Sequence, residues 1–299
     1  MSIMRFAYGV PLSCPLNAAF TNAPALSALA AQAEAAGFDA GYVTEHPAPS
    51  QRWREAGGHD ALDPFVALAV MSSATTRLRL LTNLTVIPYR NPFLLAKASA
   101  TLDVLSGGRL TLGAGVGYMK SEFAALGVDF ESRNDRFDEY LHVLKLAWSG
   151  ETITFDGTFV SARGVTPYPP PTQRPGPPIW LGGNSKLTRR RVAESADGWM
   201  PMPSARSAGG VPLETIEDLE ELLAYLHAHA AEVGRTAPID IMCVLSAEAA
   251  DAADTSTVDQ VRRLAEVGVT WLAVNGKGET PDEARAFIER FGSGVISQV

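Results

Sequence analysis

Residues 80–118 read LLTNLTVIPYRNPFLLAKASATLDVLSGGRLTLGAGVGY. A β-branched, apolar run over 78–87 leads into a helix with its own start and stop signals, and a second β-rich run follows at 109–114. Asn91-Pro92 supplies an N-cap and a proline at the first helical position, and Gly107-Gly108 ends the helix. Strand, helix and strand in this order is the unit of a parallel sheet, because parallel neighbours need a crossover between them. The unit recurs outward from this stretch. Further short β-rich runs lie at 4–10, 39–44, 179–182, 198–201, 239–245 and 270–275, which makes eight candidate strands. Helical segments separate most of them: 24–36, stopped by Gly37; one opened by Asp63-Pro64; 133–148, with Phe137, Leu141, Leu144 and Trp148 on one face; 214–233; and 281–291, opened by Thr280-Pro281. The pattern predicts an α/β fold, a single TIM (β/α)8 barrel over residues 1–299. A doubly wound sheet with a lid domain is the alternative, and the missing Gly-rich turn after the first strand disfavours it.

Two segments interrupt the alternation. Residues 151–178 hold a candidate hairpin, ETITFDGTFV with its turn at Asp156-Gly157, and then PYPPPTQRPGPP. Residues 201–213 are loop-like and contain Gly209-Gly210. Both are expected as insertions at the C-terminal mouth of the barrel, able to close over a site there.

The formal net charge is −8, so a nucleic-acid partner, which needs a basic face, is not expected, nor is a membrane surface. Cys14 and Cys243 cannot make a secreted-type disulfide framework. The start, MSIMRFAYGV, has no signal-peptide pattern, and no apolar run of about 18 residues is present, so a cytoplasmic protein is expected. The five histidines form no HExxH, and no metal site is expected.

Three constellations carry candidate chemistry. AGYVTEHP, residues 40–47, ends a strand in Glu45-His46, and residues at the C-terminal ends of barrel strands face the active site. A histidine there moves a proton near neutral pH. Glu45 is a candidate partner that orients a neighbour. An ordinary loop histidine is the alternative. The long third strand carries Thr82, Asn83 and Thr85 among apolar neighbours, and the fourth ends in Gly113, Gly115 and Gly117, where a flat ligand can lie on bare backbone. Asn83 at a bulge is the plainer reading of the former. Finally, PPIWLGGNSK (177–186) runs a strand into Gly182-Gly183-Asn184-Ser185 and a helix start, which suits an anion. A capped βα turn, with Arg189–Arg191 on a solvated face, is the competing reading.

In combination and order, VTEH, NPFLLAKASATLDVLSGGRLTLGAGVGY and PPIWLGGNS followed by ADGWMP resemble the luciferase-like monooxygenase superfamily, in particular its F420-dependent oxidoreductases, over residues 4 to 201. The resemblance implies a TIM barrel, usually a homodimer, with F420 or FMN at the C-terminal mouth and a small-molecule substrate. It implies that His46 is the family's strand-two histidine. It places Thr82, Asn83 and Leu84 under the ring, with a non-prolyl cis peptide at Asn83–Leu84, sets Gly115, Val116 and Gly117 beside the ring, and gives Leu181, Gly182, Gly183 and Asn184 the cofactor tail. The family's sugar-phosphate dehydrogenases have a glutamate where this chain has Tyr118, and a Trp nearer the histidine than Trp53. Their substrate and acid–base pair therefore do not transfer, and Tyr118 becomes the third catalytic candidate. Glu122, one turn on, is a further acid. The expected reaction is hydride transfer between F420 and a small organic substrate. An FMN-dependent monooxygenase using oxygen, or a catalytically silent binder, would carry the same motifs.

Overall fold

The computed structural model describes residues 4–299; the first three residues of the amino-terminal stretch read above lie outside the described residues. The strands in chain order are β1 (Arg5–Gly9), β2 (Ala40–Val43), β3 (Arg79–Thr82), β4 (Thr85–Val86), β5 (Leu110–Gly115), β6 (Ile153–Asp156), β7 (Ser161–Val165), β8 (Ile179–Gly182), β9 (Gly198–Met200), β10 (Asp240–Val244) and β11 (Trp271–Asn275). The α-helices are α1 (Ala23–Ala35), α2 (Gln51–Glu55), α3 (Pro64–Ser73), α4 (Pro92–Leu105), α5 (Lys120–Ala125), α6 (Arg133–Trp148), α7 (Lys186–Ser195), α8 (Ile216–Glu232), α9 (Ala247–Ala252), α10 (Thr255–Glu266) and α11 (Pro281–Gly294).

Eight strands pair in parallel in the order β3-β2-β1-β11-β10-β9-β8-β5, and β5 returns to β3 through Leu80↔Leu110 and Leu81↔Thr111. The sheet therefore closes, as a TIM barrel does. Strand alternation divides the apolar residues in two. Phe6, Tyr8, Leu80, Leu112 and Leu181 pack under the helices. Tyr42, Leu81, Trp180, Met200, Met242 and Trp271 fill the lumen, with Leu84 and Val244 against them.

The helix boundaries follow local chemistry. Asp63 accepts from the N–H groups of Phe65 and Val66, and Asn91 from that of Phe93, each followed by proline. Thr280 and Glu283 form a capping box at α11. Gly37, Gly107 and Gly108 lie in the left-handed region just past α1 and α4, where a side chain would be strained.

The long third strand divides. Its run over 78–87 is split: β3 ends at Thr82, the Asn83–Leu84 peptide is cis, and β4 pairs with the end of β5. The hairpin turns at the expected place, but its second strand starts at Ser161, because Glu139 accepts from the N–H groups of Thr158, Phe159 and Val160 and holds them as a loop against α6.

The expectation for residues 151–178 needs correction. They connect the end of α6 to the start of β8, so they lie at the N-terminal base of the barrel and not at its mouth. Gln173 pairs there with Asp103, with the Leu110 carbonyl and with Arg79, at the starts of β5 and β3. A segment leaving a helix and entering a strand must sit where barrel strands begin. Residues 201–213 follow β9 and do lie at the mouth.

Candidate active site

His46 stands just beyond β2, one-tenth exposed. Its Nδ1 lies 3.5 Å from Oε2 of Glu122, which is buried in the first turn of α5. Glu122 also accepts from the Tyr89 hydroxyl at 2.9 Å and from the Ala48 N–H at 3.2 Å. Burial pushes the Glu122 carboxyl up, and the neighbouring His46 ring with the donors Tyr89 and Ala48 outweighs it, so the group sits below its ordinary range. The phenol of Tyr89 moves the other way, raised by burial and by its bond to Glu122. The sequence reading put Tyr118 where a carboxylate was missing. In the fold, the carboxylate next to His46 is Glu122.

Aromatic rings enclose His46. Trp53 of α2 lies 4.4 Å away between centroids, His59 is edge-on at 5.1 Å, and Tyr118 is at 6.3 Å with two-thirds of its surface exposed. A Cβ at Gly58 would come within 2.4 Å of the Trp53 ring, so the glycine makes room for it. His59 Nε2 is 3.2 Å from Thr44 Oγ1. Its imidazole is pushed down to about 4, first by burial and then by His46.

Glu45 points elsewhere. Its buried carboxylate pairs with Arg90 and accepts the Val86 N–H at 2.6 Å, and Arg90 reaches on to Asp63 at 2.9 Å. The network ties the end of β2 to β4 and the start of α3. Burial raises the Glu45 carboxyl, against the pull of Arg90.

The third strand also sorts its residues. Thr82 is fully buried, and its hydroxyl donates to the Gly113 carbonyl at 2.7 Å. Leu181 packs in the outer core. Leu84, after the cis peptide, lies where a Cβ on Gly115 or Gly182 would be, at 2.9 and 2.5 Å from its Cδ1. Gly9 makes similar room for the Tyr42 ring. The lumen thus ends in a low floor of Leu84, Tyr42 and bare glycine backbone. Val116 and Gly117 follow at the rim, Gly117 with φ +85° against Val86 and Phe123.

At the end of β8, Gly183 has φ +110° and Ser185 caps α7 by accepting from the Thr188 N–H. The Asn184 side chain is committed: it donates to the carbonyls of Met202 and Val211 and accepts from the Met202 N–H, pinning residues 201–213. Arg189 and Arg191 do not lie on a solvated face. Both are buried, Arg191 paired with Asp138 at 2.6 Å and Arg189 over the Tyr225 ring. Sequence reasoning missed His59, in a connection without a motif, and Tyr89, which lies in the quoted 80–118 stretch but in the turn between its strand and its helix.

Residues 13–294 match the luciferase-like monooxygenase family. The chain belongs to this family. It is accordingly an oxidoreductase. An uncharacterized protein of Mycobacterium tuberculosis (strain ATCC 25618 / H37Rv) is 31% identical over 281 residues, 89% of this chain and 92% of that one. An F420-dependent glucose-6-phosphate dehydrogenase of Beutenbergia cavernae is 36% identical over 218 residues, 70% of this chain and 60% of the relative. Among solved structures, a monooxygenase from Streptomyces bottropensis superposes with a TM-score of 0.78 at 22% identity, covering 98% of this chain and 99% of the other. An F420-dependent secondary alcohol dehydrogenase, in complex with an F420-acetone adduct, does so at 0.77 and 16% identity, covering 99% of each chain. At such identities the likeness speaks for the fold. No helix among the described residues is long and apolar enough to cross a membrane.

Proposed function

We propose that this oxidoreductase transfers a hydride between F420 and a small organic substrate at the C-terminal mouth of the barrel, with His46 handling the accompanying proton. The observation that carries the reading is the buried Glu122 carboxylate 3.5 Å from Nδ1 of His46. When bound, F420 supplies two-electron hydride chemistry. The residues present fit a flat, phosphate-tailed group. Side chains are absent at Gly115 and Gly182, where any Cβ would strike Leu84. The backbone over Gly183–Lys186 opens α7, whose N–H groups and dipole favour an anion. Leu84, Gly115, Val116 and Gly117 would border the ring, and Gly182 and Gly183 the tail.

With Nδ1 turned to Glu122, the other ring nitrogen of His46 is left for substrate. There it would take the hydroxyl proton of an alcohol or return one to a carbonyl oxygen. The ionised Glu122 stabilises positive charge on the ring while it holds that proton. Glu122 and Tyr89 act through His46, as positioning residues. Trp53 and Tyr118 wall the site, and Glu45 holds its strand. Residues 201–213, tethered by Asn184, would cover the mouth.

Support for F420 comes from the names of the relatives, one of which is also 36% identical. The test is titration of the purified protein with F420 and, separately, with FMN, followed by absorbance and fluorescence. Saturable F420 binding is expected. Tight FMN binding with none of F420 would replace this reading with the monooxygenase one.

We also infer a homodimer through α3 and α4, in the cytoplasm, from a single domain. Val66 on α3 and Leu94 and Leu105 on α4 are each about two-thirds exposed or more, and the two helices pack side by side. Leu94→Lys should give a monomer by sedimentation velocity.

A further inference from the structure

Tyr42 belongs to the floor of the lumen, and its hydroxyl is bonded to the side-chain oxygen of Asn275. The two residues stand on β2 and β11, which are not neighbours. β1 lies between them, and its last residue, Gly9, pairs with Tyr42 on one side and Asn275 on the other. A Cβ on Gly9 would overlap the Tyr42 ring, so bare backbone is what lets the ring cross β1. The bond also fixes which end of the amide is free. Tyr42 is buried, Asn275 is its hydroxyl's one partner among the described residues, and a buried hydroxyl needs an acceptor for its proton. It therefore donates to Oδ1, and burial pushes the phenol up, so the proton stays in place. Asn275 is exposed at the mouth, and its Nδ2 has no protein acceptor among the described residues. The strand end is stiff, because the Gly276 N–H donates to the Gly9 carbonyl at 2.8 Å and a Cβ on Gly276 would strike that oxygen. Lys277, two residues on, is spent on Asp251 and the Ala247 carbonyl, so no free cation accompanies the amide.

We infer that Asn275 binds substrate: its Nδ2 donates to a second, uncharged oxygen of a molecule whose reacting oxygen lies at His46, and Tyr42 is the positioning residue that aims it. The inference rests on the proposed function for the chemistry at His46, whereas the Tyr42–Asn275 pair is a property of the chain. The circular order of the strands sets the pair on the substrate side. β8 and β5 carry the Gly182 and Gly115 floor proposed to border the cofactor ring, and they stand opposite β1 and β11 across the barrel. His46, just beyond β2, is on the Asn275 side. β2 and β11 are two interstrand spacings apart, roughly 10 Å, a gap that a small molecule with an oxygen at each end can bridge. An amide N–H with no free cation beside it suits a carbonyl, ether or hydroxyl oxygen, and a phosphate placed there would lose water without meeting an opposite charge. The substrate class is thus a neutral compound with two oxygens, one of them on the reacting carbon.

The test compares two probes of the same shape on the intact protein: cyclohexanone, and tetrahydropyran-4-one, in which an ether oxygen replaces the methylene opposite the carbonyl. Binding is read by saturation-transfer NMR, without cofactor and again with F420 added. Tetrahydropyran-4-one should bind about fivefold more tightly, the net gain of one neutral hydrogen bond. Asn275→Asp keeps an oxygen for the Tyr42 hydroxyl and removes only the donor, at an exposed position where folding is not at risk, and should abolish the preference. Tyr42→Phe releases the amide and should cut the preference by about twofold with cyclohexanone affinity unchanged, a selectivity that a merely structural loss does not produce. A preference retained in Asn275→Asp, equal binding of the two probes by the native chain, or no saturable binding of either would overturn the inference. A chain that shows the Asn275-dependent preference but takes up no F420 would keep this contact and lose the proposed cofactor.

Discussion

The two ends of the barrel share the same strands and treat charge in opposite ways. At the base the ionised groups at the strand starts are held by partners. Arg5 meets Asp240 at 3.0 Å, Arg79 donates to Thr111 and to the Leu110 carbonyl, and the fully buried Asp103 accepts from Gln173 and from the Leu110 N–H. At the mouth the pairing is incomplete. His46 faces Glu122 without a hydrogen bond of good geometry, His59 stays neutral because burial and its neighbour disfavour its charge, and bare backbone stands where side chains would fill the floor. The base is built to stay shut and the mouth to exchange protons and accept ligand, the division of labour common to such barrels. The difference also sorts the two excursions. Residues 151–178 plug the base through Gln173, whereas 201–213 hang over the mouth from Asn184.

Replacing His46 should break the contrast most sharply. His46→Ala is expected to lower kcat by about 10²- to 10⁴-fold, the usual contribution of a placed acid–base group, with the melting temperature nearly unchanged. Glu122→Gln should lower kcat with little change in KM, since it acts through His46, and should alter the acid limb of the pH–rate profile. The Glu122 carboxyl is held below its ordinary value, so its contribution to stability is present above the unfolded carboxylate range and is lost as pH falls through the folded value. Steady-state kinetics across pH on both variants are the check, and normal turnover by His46→Ala would remove the proposed role.

The base predicts the converse. Asp103→Ala leaves the buried Leu110 N–H and two part-buried donors of Gln173 unanswered and should cost about 3 kcal/mol in chemical denaturation, with kcat/KM unaltered in the protein that remains folded. A loss of activity without a loss of stability would show the two ends are not separable. Gly182→Ala should separate floor from chemistry. Its Cβ would fall 2.5 Å from Leu84, so Leu84 must rise into the floor, and F420 affinity should drop by about tenfold while proton transfer is unaffected.

The smallest effect lies in His59. An imidazole neutral in the fold down to about 4, but protonating near 6.5 in the unfolded chain, makes stability decline as pH falls through that window. Urea midpoints between pH 7 and 4 should fall for the native chain and flatten in His59→Phe. Equal slopes would show that the ring is solvated.

The order of strands and helices was legible because each carries its own local signal: proline and asparagine caps at Asn91-Pro92 and Asp63-Pro64, glycine stops at Gly37 and Gly107, and alternating apolar runs. The cis peptide at Asn83–Leu84 was legible through the resemblance, and the structure has it there. Glu45 and Glu122 show where such reading ends. Glu45 is next to His46 in sequence, but neighbours on a strand end point to opposite sides, so it turns to Arg90. Glu122 is 76 residues away and reaches the ring because α5 starts beside the end of β2. Tyr89 and His59 likewise lie in connections without a pattern of their own.

The chain by itself determined that eight strands alternate with helices, that the net charge is acidic, and that a histidine, a glycine triplet and a Gly-Gly turn stand at strand ends. Only the closed barrel decided which carboxylate meets His46, which glycines form a floor, and that residues 151–178 seal the base and leave the mouth open. The reason is physical. Caps, turns and strand alternation are set by interactions within a few residues, whereas the His46–Glu122 pair, the Leu84 floor and the Gln173 plug are contacts between segments that sequence distance does not order.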